Sequence, residues 1–185
     1  MLKILTVPNP ILTTPVKTVV RIDKKIKKLV EEMERILVSQ KDPQGVGLAA
    51  PQVGEGRAIF IMKPTEKAKT EVFVNPKIIK TEGEEKPLKR PKTSESAKKG
   101  RGKLEGCLSL YGVWSPVKRP HKVLLSWDDV KTQKEKQKWF TGFKAVIIQH
   151  EVDHLKGVLF TQRALEQNAP LYEEKEGKLR KIQEI

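Results

Sequence analysis

The stretch His150-Glu151-Val152-Asp153-His154 carries the residue types and spacing most suited to chemistry. Its H-E-x-x-H pattern puts two imidazoles one helical turn apart on one face, with roughly 5–6 Å between Cβ atoms. Two rings so placed can share one metal ion, and Glu151 beside them can act as a general base. The apolar run Ala145-Val146-Ile147-Ile148 just before them predicts a buried helix, in which both histidines need partners. A hydrolytic metal site also needs a third ligand and an open position. His121 sits between Pro120 and Lys122 and reads as surface. Cys107 is the better candidate, because Gly106 before it lets the backbone come close to an ion or a ligand. Two plainer readings stay open here: a solvated His-Glu helix face, and a cysteine that is only a small buried hydrophobe.

These residues need elements to hold them. A helical pattern opens at Gly142, carries Phe143, Val146, Ile147, His150 and His154 on one stripe, and stops at Gly157. An earlier one repeats Ile22, Ile26, Leu29, Val30, Met33, Ile36 and Leu37 at the 3.6-residue period, with Asp23 to start it and Asp42-Pro43 beyond its end. A glycine-rich turn runs from Gly45 to Gly54. Short β-rich runs follow at Ala58 to Met62, Glu71 to Val74, Lys122 to Trp127 and around Trp139, and the tail from about residue 170 to 185 reads as a hairpin. The expected fold is α+β: short antiparallel strands in small sheets around a central helix bearing the histidines, plus an N-terminal helix.

The 185 residues, 37% hydrophobic and 32% charged, suit a single catalytic domain over 1–185. No apolar run reaches the roughly 18 residues of a membrane span, and no secretory leader is evident at the start. One cysteine excludes an intrachain disulfide framework and favours a reducing, cytoplasmic setting. The net charge is +14. Residues 86–103 hold eight basic groups and one acid, a net +7. That stretch has almost nothing apolar to bury, so it reads as a mobile basic loop. It contains no aromatic residue for base stacking and no motif for sequence-specific DNA binding.

Three blocks together resemble the peptide deformylases. Gly45-Val46-Gly47-Leu48-Ala49-Ala50-Pro51-Gln52 matches that family's G-φ-G-φ-A-A-x-Q. Glu105 to Ser109 matches E-G-C-φ-S, and Gln149 to Gly157 matches Q-H-E-x-D-H-φ-x-G. The resemblance implies hydrolysis of the N-formyl group from the formylmethionine that starts nascent polypeptides, releasing formate. It implies one divalent metal ion on Cys107, His150 and His154, with Fe(II) favoured and Zn, Ni or Co also compatible with the donors. It makes Glu151 the acid–base group, and the Gln52 amide and Leu108 N–H the donors to the oxyanion. Val46, Gly47, Gly106, Phe143, Val146 and Ile147 would bind substrate, and Arg119 would pair with Asp153.

The chain departs from the family pattern at Leu110-Tyr111-Gly112 after the cysteine block. It also carries Trp114 where several relatives have a substrate-holding arginine, and an unusually long basic stretch before Glu105. Two other classes remain at this point. One is a zincin-like protease with a third ligand such as Glu166. The other is a basic RNA- or ribosome-binding protein whose metal is structural. In an enzyme, the same basic stretch could draw the chain to ribosomal RNA.

Overall fold

The computed structural model describes residues 2–90 and 97–182. Helix α1 (Lys24–Ser39) starts where the Asp23 carboxylate accepts from the N–H groups of Lys25 and Ile26 at 2.9 and 3.0 Å. Those are donors that a helix start leaves unpaired. Its buried face, Ile26, Val30, Met33 and Leu37, packs with Leu48, Ile59 and Ile61. The chain continues through β1 (Gly47–Ala49), β2 (Ile59–Met62), β3 (Glu71–Pro87), β4 (Glu105–Cys107), β5 (Leu110–Ser115), β6 (Lys118–Asp128) and β7 (Glu135–Thr141). Helices α2 (Gly142–Leu155) and α3 (Phe160–Glu166) follow, then strands β8 (Tyr172–Lys175) and β9 (Lys178–Lys181).

The strands form two antiparallel sheets, one ordered β1-β2-β3-β6-β7 and the other β4-β5-β8-β9. Helix α2 is the centre of the molecule. Every residue from Ala145 to Leu155 is buried, so this helix carries no polar face for solvent. Ala145, Ile148 and Val152 pack with Phe60, Phe73, Val123 and Phe140 of the five-stranded sheet. The Phe73 ring stacks on Phe60 at 4.6 Å and meets Trp127 and Phe140 edge-on at 5.2 and 5.9 Å. On its other side α2 meets the four-stranded sheet through Cys107, which clusters with Val117, Phe160 and Ala164.

Two expectations from the sequence need correction. The run at Glu71 to Val74 is only the start of β3, which continues to Pro87 along β6 through three register shifts. Backbone pairing with β6 carries this extension, so side chains such as Lys80 and Glu82 need not be apolar and escape a reading based on hydrophobic pattern. The basic stretch is not a plain loop where it is described. Lys86 and Pro87 pair with Arg119 and Lys118, Leu88 and Arg101 are each only 2% exposed, and Ala97–Arg101 makes a turn with Gly100 in the left-handed region. Arg101 is buried because its charge is met there. It donates to Glu174 at 3.1 Å and Asp42 at 3.0 Å and lies over the Trp114 ring. Residues 91–96 of that stretch lie outside the described residues. In the tail, β8 and β9 pair as a hairpin, and β8 extends the sheet of β5.

Candidate metal centre

Cys107 comes from the last residue of β4, and His150 and His154 from successive turns of α2. Their ligand atoms all lie within 4.8 Å of one another, and all three residues are buried. Cys107 Sγ is 3.1 Å from His154 Nε2. Burial alone would push the Cys107 thiol up, but the His154 and His150 rings beside it outweigh burial and bring its pKa down to about 5. Burial works against a charged His150, yet Cys107 and Glu105 raise its pKa well above the ordinary value. His154 Nδ1 is buried without a hydrogen-bond partner among the described residues. One thiolate and two imidazoles converging in a dry site are a donor set that fits a divalent transition metal.

Glu105, two residues before the cysteine, orients the first histidine. Its carboxylate lies 2.7 Å from His150 Nδ1, which leaves Nε2 for an ion. The same carboxylate takes two bonds from Arg119, at 2.9 and 2.7 Å. Arg119 donates a third to Asp153 at 2.9 Å, and Arg163 of α3 grips Asp153 as well. The expected Arg119–Asp153 contact is thus present, as one limb of a larger network. Burial would raise the Glu105 carboxyl, but Arg119 and His150 hold it well below the usual range. Asp153 is depressed too, with Arg163 and Arg119 outweighing burial.

The third block arrives through β1 and the turn after it. Gln52 Oε1 accepts from the Ala49 N–H at 2.9 Å, which aims its Nε2 at Cys107 Sγ (3.4 Å) and Ser109 Oγ (3.2 Å). Gly47 lies against Glu151 so closely that a Cβ there would stand 2.2 Å from the Glu151 carboxylate. Glu151 Oε2 is buried without a partner among the described residues, and burial pushes this carboxyl up to about 7. Gly106 makes the equivalent approach on the other side, where a Cβ would meet the Trp114 ring at 2.6 Å.

Cys107, His150, Glu151, Gln52 and Leu108 line one cavity, together with Val46, Gly47, Gly106, Phe143, Val146 and Ile147. His121 is exposed, and Glu166 is exposed and paired with Arg163 at 3.0 Å. Neither reaches the cavity. Three residues with a part in the site were not singled out from the sequence. Glu105 was visible only as a motif letter. Leu88 and Arg90, which also line the cavity, lie in the stretch expected to be a mobile basic loop. The one signal for them was Leu88 itself, a lone leucine in a charged run.

The family model for polypeptide deformylase matches residues 1–169. The peptide deformylase of Dictyoglomus turgidum is 37% identical over 175 residues, covering 95% of this chain and 99% of that protein. That of Borreliella burgdorferi is 38% identical over 157 residues, covering 83% and 81%. Among solved structures, the Thermotoga maritima peptide deformylase superposes with a TM-score of 0.73 at 28% identity, over 88% of this chain and 97% of that one. The enzyme from Synechococcus elongatus, in complex with actinonin, gives 0.73 at 33% identity over 88% and 79%.

The buried carboxylates of Glu105 and Asp153 imply an acid-sensitive fold. Both have folded pKa values below the ordinary 4.5 of Glu and 3.8 of Asp. Their contribution is therefore complete above those values and is lost as pH falls through the depressed ones. Removing the cation from a buried pair costs about 3–5 kcal/mol. Arg119→Met should lose about that much in urea unfolding at about pH 7, and the gap to wild type should narrow at about pH 3. A gap that stays constant between the two conditions would show that these carboxylates do not depend on Arg119.

Proposed function

The chain belongs to the polypeptide deformylase family, and from that premise we propose how its own residues carry out the reaction. The enzyme removes the N-formyl group from nascent polypeptides by hydrolysis. In our reading Cys107, His150 and His154 hold one divalent ion, with Fe(II) as the physiological metal. The single observation that carries this is the convergence of those three buried donors within 4.8 Å. A bound ion of this kind supplies Lewis acidity and lowers the pKa of a coordinated water to about 7.

The remaining work falls to the protein. Glu151 accepts the proton of the attacking water and later delivers it to the departing amine. Its raised pKa, about 7, suits both tasks near neutrality. Hydroxide adds to the formyl carbon, the C–N bond breaks, and formate and a free α-amine leave. The oxyanion formed in between is met by the Gln52 Nε2 amide and the Leu108 backbone N–H. Substrate enters as an added strand. β1 and β4 are edge strands of the two sheets, and both contribute glycines to the same cavity. An extended peptide between Gly47 and Gly106 can therefore bond to both edges. Its methionine side chain points into the apolar pocket of Val46, Phe143, Val146 and Ile147.

We also propose that the surface around the basic stretch attracts the RNA of the ribosome, from which the substrate emerges. Part of the +7 is used internally, because Arg101 and Lys99 pair with Asp42 and Lys86 with Glu84. The attraction then rests on exposed side chains such as Lys89 and Lys103. Exchanging both for Glu should weaken co-sedimentation with ribosomes at low salt and flatten its salt dependence. Equal binding by both proteins would remove this docking role.

Glu151→Gln should retain the metal and lose formate release from a formyl-Met peptide by roughly 10²–10⁴-fold or more, since an amide cannot take the proton. Near-normal turnover would take Glu151 out of the mechanism. Gln52→Leu should lower kcat by roughly 10²–10³-fold with little change in metal content. A change confined to KM would make Gln52 a ground-state binding group instead.

A further inference from the structure

Arg90 follows the end of β3, and its backbone N–H donates to the Gly102 carbonyl at 2.9 Å. That bond sets the chain beside the residues leading into β4. From there Arg90 joins the lining of the cavity that contains Cys107, His150 and Glu151, its guanidinium carbon 5.5 Å from the Phe143 ring centroid. The same lining includes the apolar side chains of Val46, Leu88, Phe143, Val146 and Ile147. Arg90 Nε is buried and has no hydrogen-bond partner among the described residues. The carboxylate of Glu105 does not answer that donor, being committed twice to Arg119 and once to His150. Burial pulls the Arg90 pKa down to about 10, which still leaves it charged at neutral pH. A buried N–H without an acceptor is disfavoured until a ligand brings one.

We propose that Arg90 sets the specificity of the side-chain pocket: its Nε–H donates to the thioether sulfur of formylmethionine, and to the sulfoxide oxygen when that side chain is oxidised. This rests on the deformylase function given above. A thioether is a weak acceptor, so its gain is modest. A sulfoxide oxygen is polar and a much better acceptor, so a pocket that an apolar wall would close to it is opened by the guanidinium. Norleucine has nearly the shape of methionine and no acceptor at all. A site built around a donor discriminates against the analogue that leaves that donor unpaired.

The test is kcat/KM for formate release from three peptides that differ only in the first residue: formylmethionine, formylnorleucine and formylmethionine sulfoxide. Metal-loaded wild type, Arg90→Met and Arg90→Lys are compared. Wild type should prefer methionine to norleucine by roughly 2–10-fold, and Arg90→Met should bring that ratio close to one. Relative to methionine, the sulfoxide should fall roughly 10–100-fold in Arg90→Met. Arg90→Lys, which keeps a charge but has no donor at the Nε position, should lose both preferences in part. Ratios between substrates within one preparation do not depend on how much of a variant is folded. Unchanged ratios in Arg90→Met overturn the proposal while leaving the deformylase function standing. Failure of wild type to release formate from any of the three overturns that function, and this proposal with it.

Discussion

A single guanidinium, Arg119, holds the site together. It is 6% exposed and lies on β6, the strand that pairs with β3 and β7 in the five-stranded sheet. Its bonds go to Glu105 on β4, in the other sheet, and to Asp153 on α2. Three separate layers thus meet at one cation. Burying one positive and two negative groups has a large desolvation cost, and only the full set of short bonds offsets it. Arg163 adds a second cation on Asp153, which nearly balances the cluster. The consequence for chemistry is indirect but specific. Glu105 is fixed from one side by Arg119, so it can fix His150 from the other.

The two glycines of the cleft show a second constraint, one of space. Gly47 and Gly106 sit on the edge strands of different sheets, and each has a functional neighbour where a Cβ would be. At Gly47 the neighbour is the carboxylate of Glu151. At Gly106 it is the Trp114 ring, whose Nε1 donates to Glu174 at 3.0 Å. A guanidinium covers the Trp114 ring, since Arg101 lies 4.7 Å above the indole. Arg101, Glu174 and Trp114 together join the basic stretch, the C-terminal hairpin and the cysteine-bearing sheet. These three parts of the chain are therefore coupled in space. Trp114 is held by the stretch before it through Arg101 and by the tail after it through Glu174.

What could be read in the sequence follows the physics of each element. The helix beginning at Lys24 was legible because one face is apolar and the other is Lys and Glu. The histidine helix was legible from its motif and the apolar run beside it, although a helix buried all round has no amphipathic stripe to read. The long reach of β3 was not legible, because a strand held by its backbone ladder leaves no trace in side chains such as Lys80 and Glu82. Leu88, Arg90 and Arg101 were hidden for a related reason. A composition argument treats arginine as solvated, yet here ring faces and carboxylates brought from distant parts of the chain meet the guanidinium groups. Within the site, the candidate metal donors and Glu151 stood out through the H-E-x-x-H spacing together with the three motif blocks, whereas Glu105 gained its role only when β4 was placed beside α2.

The orientation of the Gln52 amide shows how the backbone sets the chemistry. An amide can face either way, and the choice rests on its hydrogen-bond partners. Here the Ala49 N–H donates to Oε1, which an –NH₂ group in that place could not accept. The opposite end faces Cys107 Sγ, drawn toward the thiolate by the two histidines. A carbonyl oxygen turned toward an anionic sulfur would be repelled, while an N–H is attracted. The same turn is tied down by the N-terminal arm: Leu5 N–H donates to the Gln52 carbonyl at 2.8 Å and Val7 N–H to the Ser109 carbonyl at 3.1 Å. One short segment of extended chain thereby fixes the distance between the glutamine turn and the cysteine block. The donor proposed for the oxyanion is thus held in place before any substrate arrives, and that advance positioning gives such a group its catalytic effect.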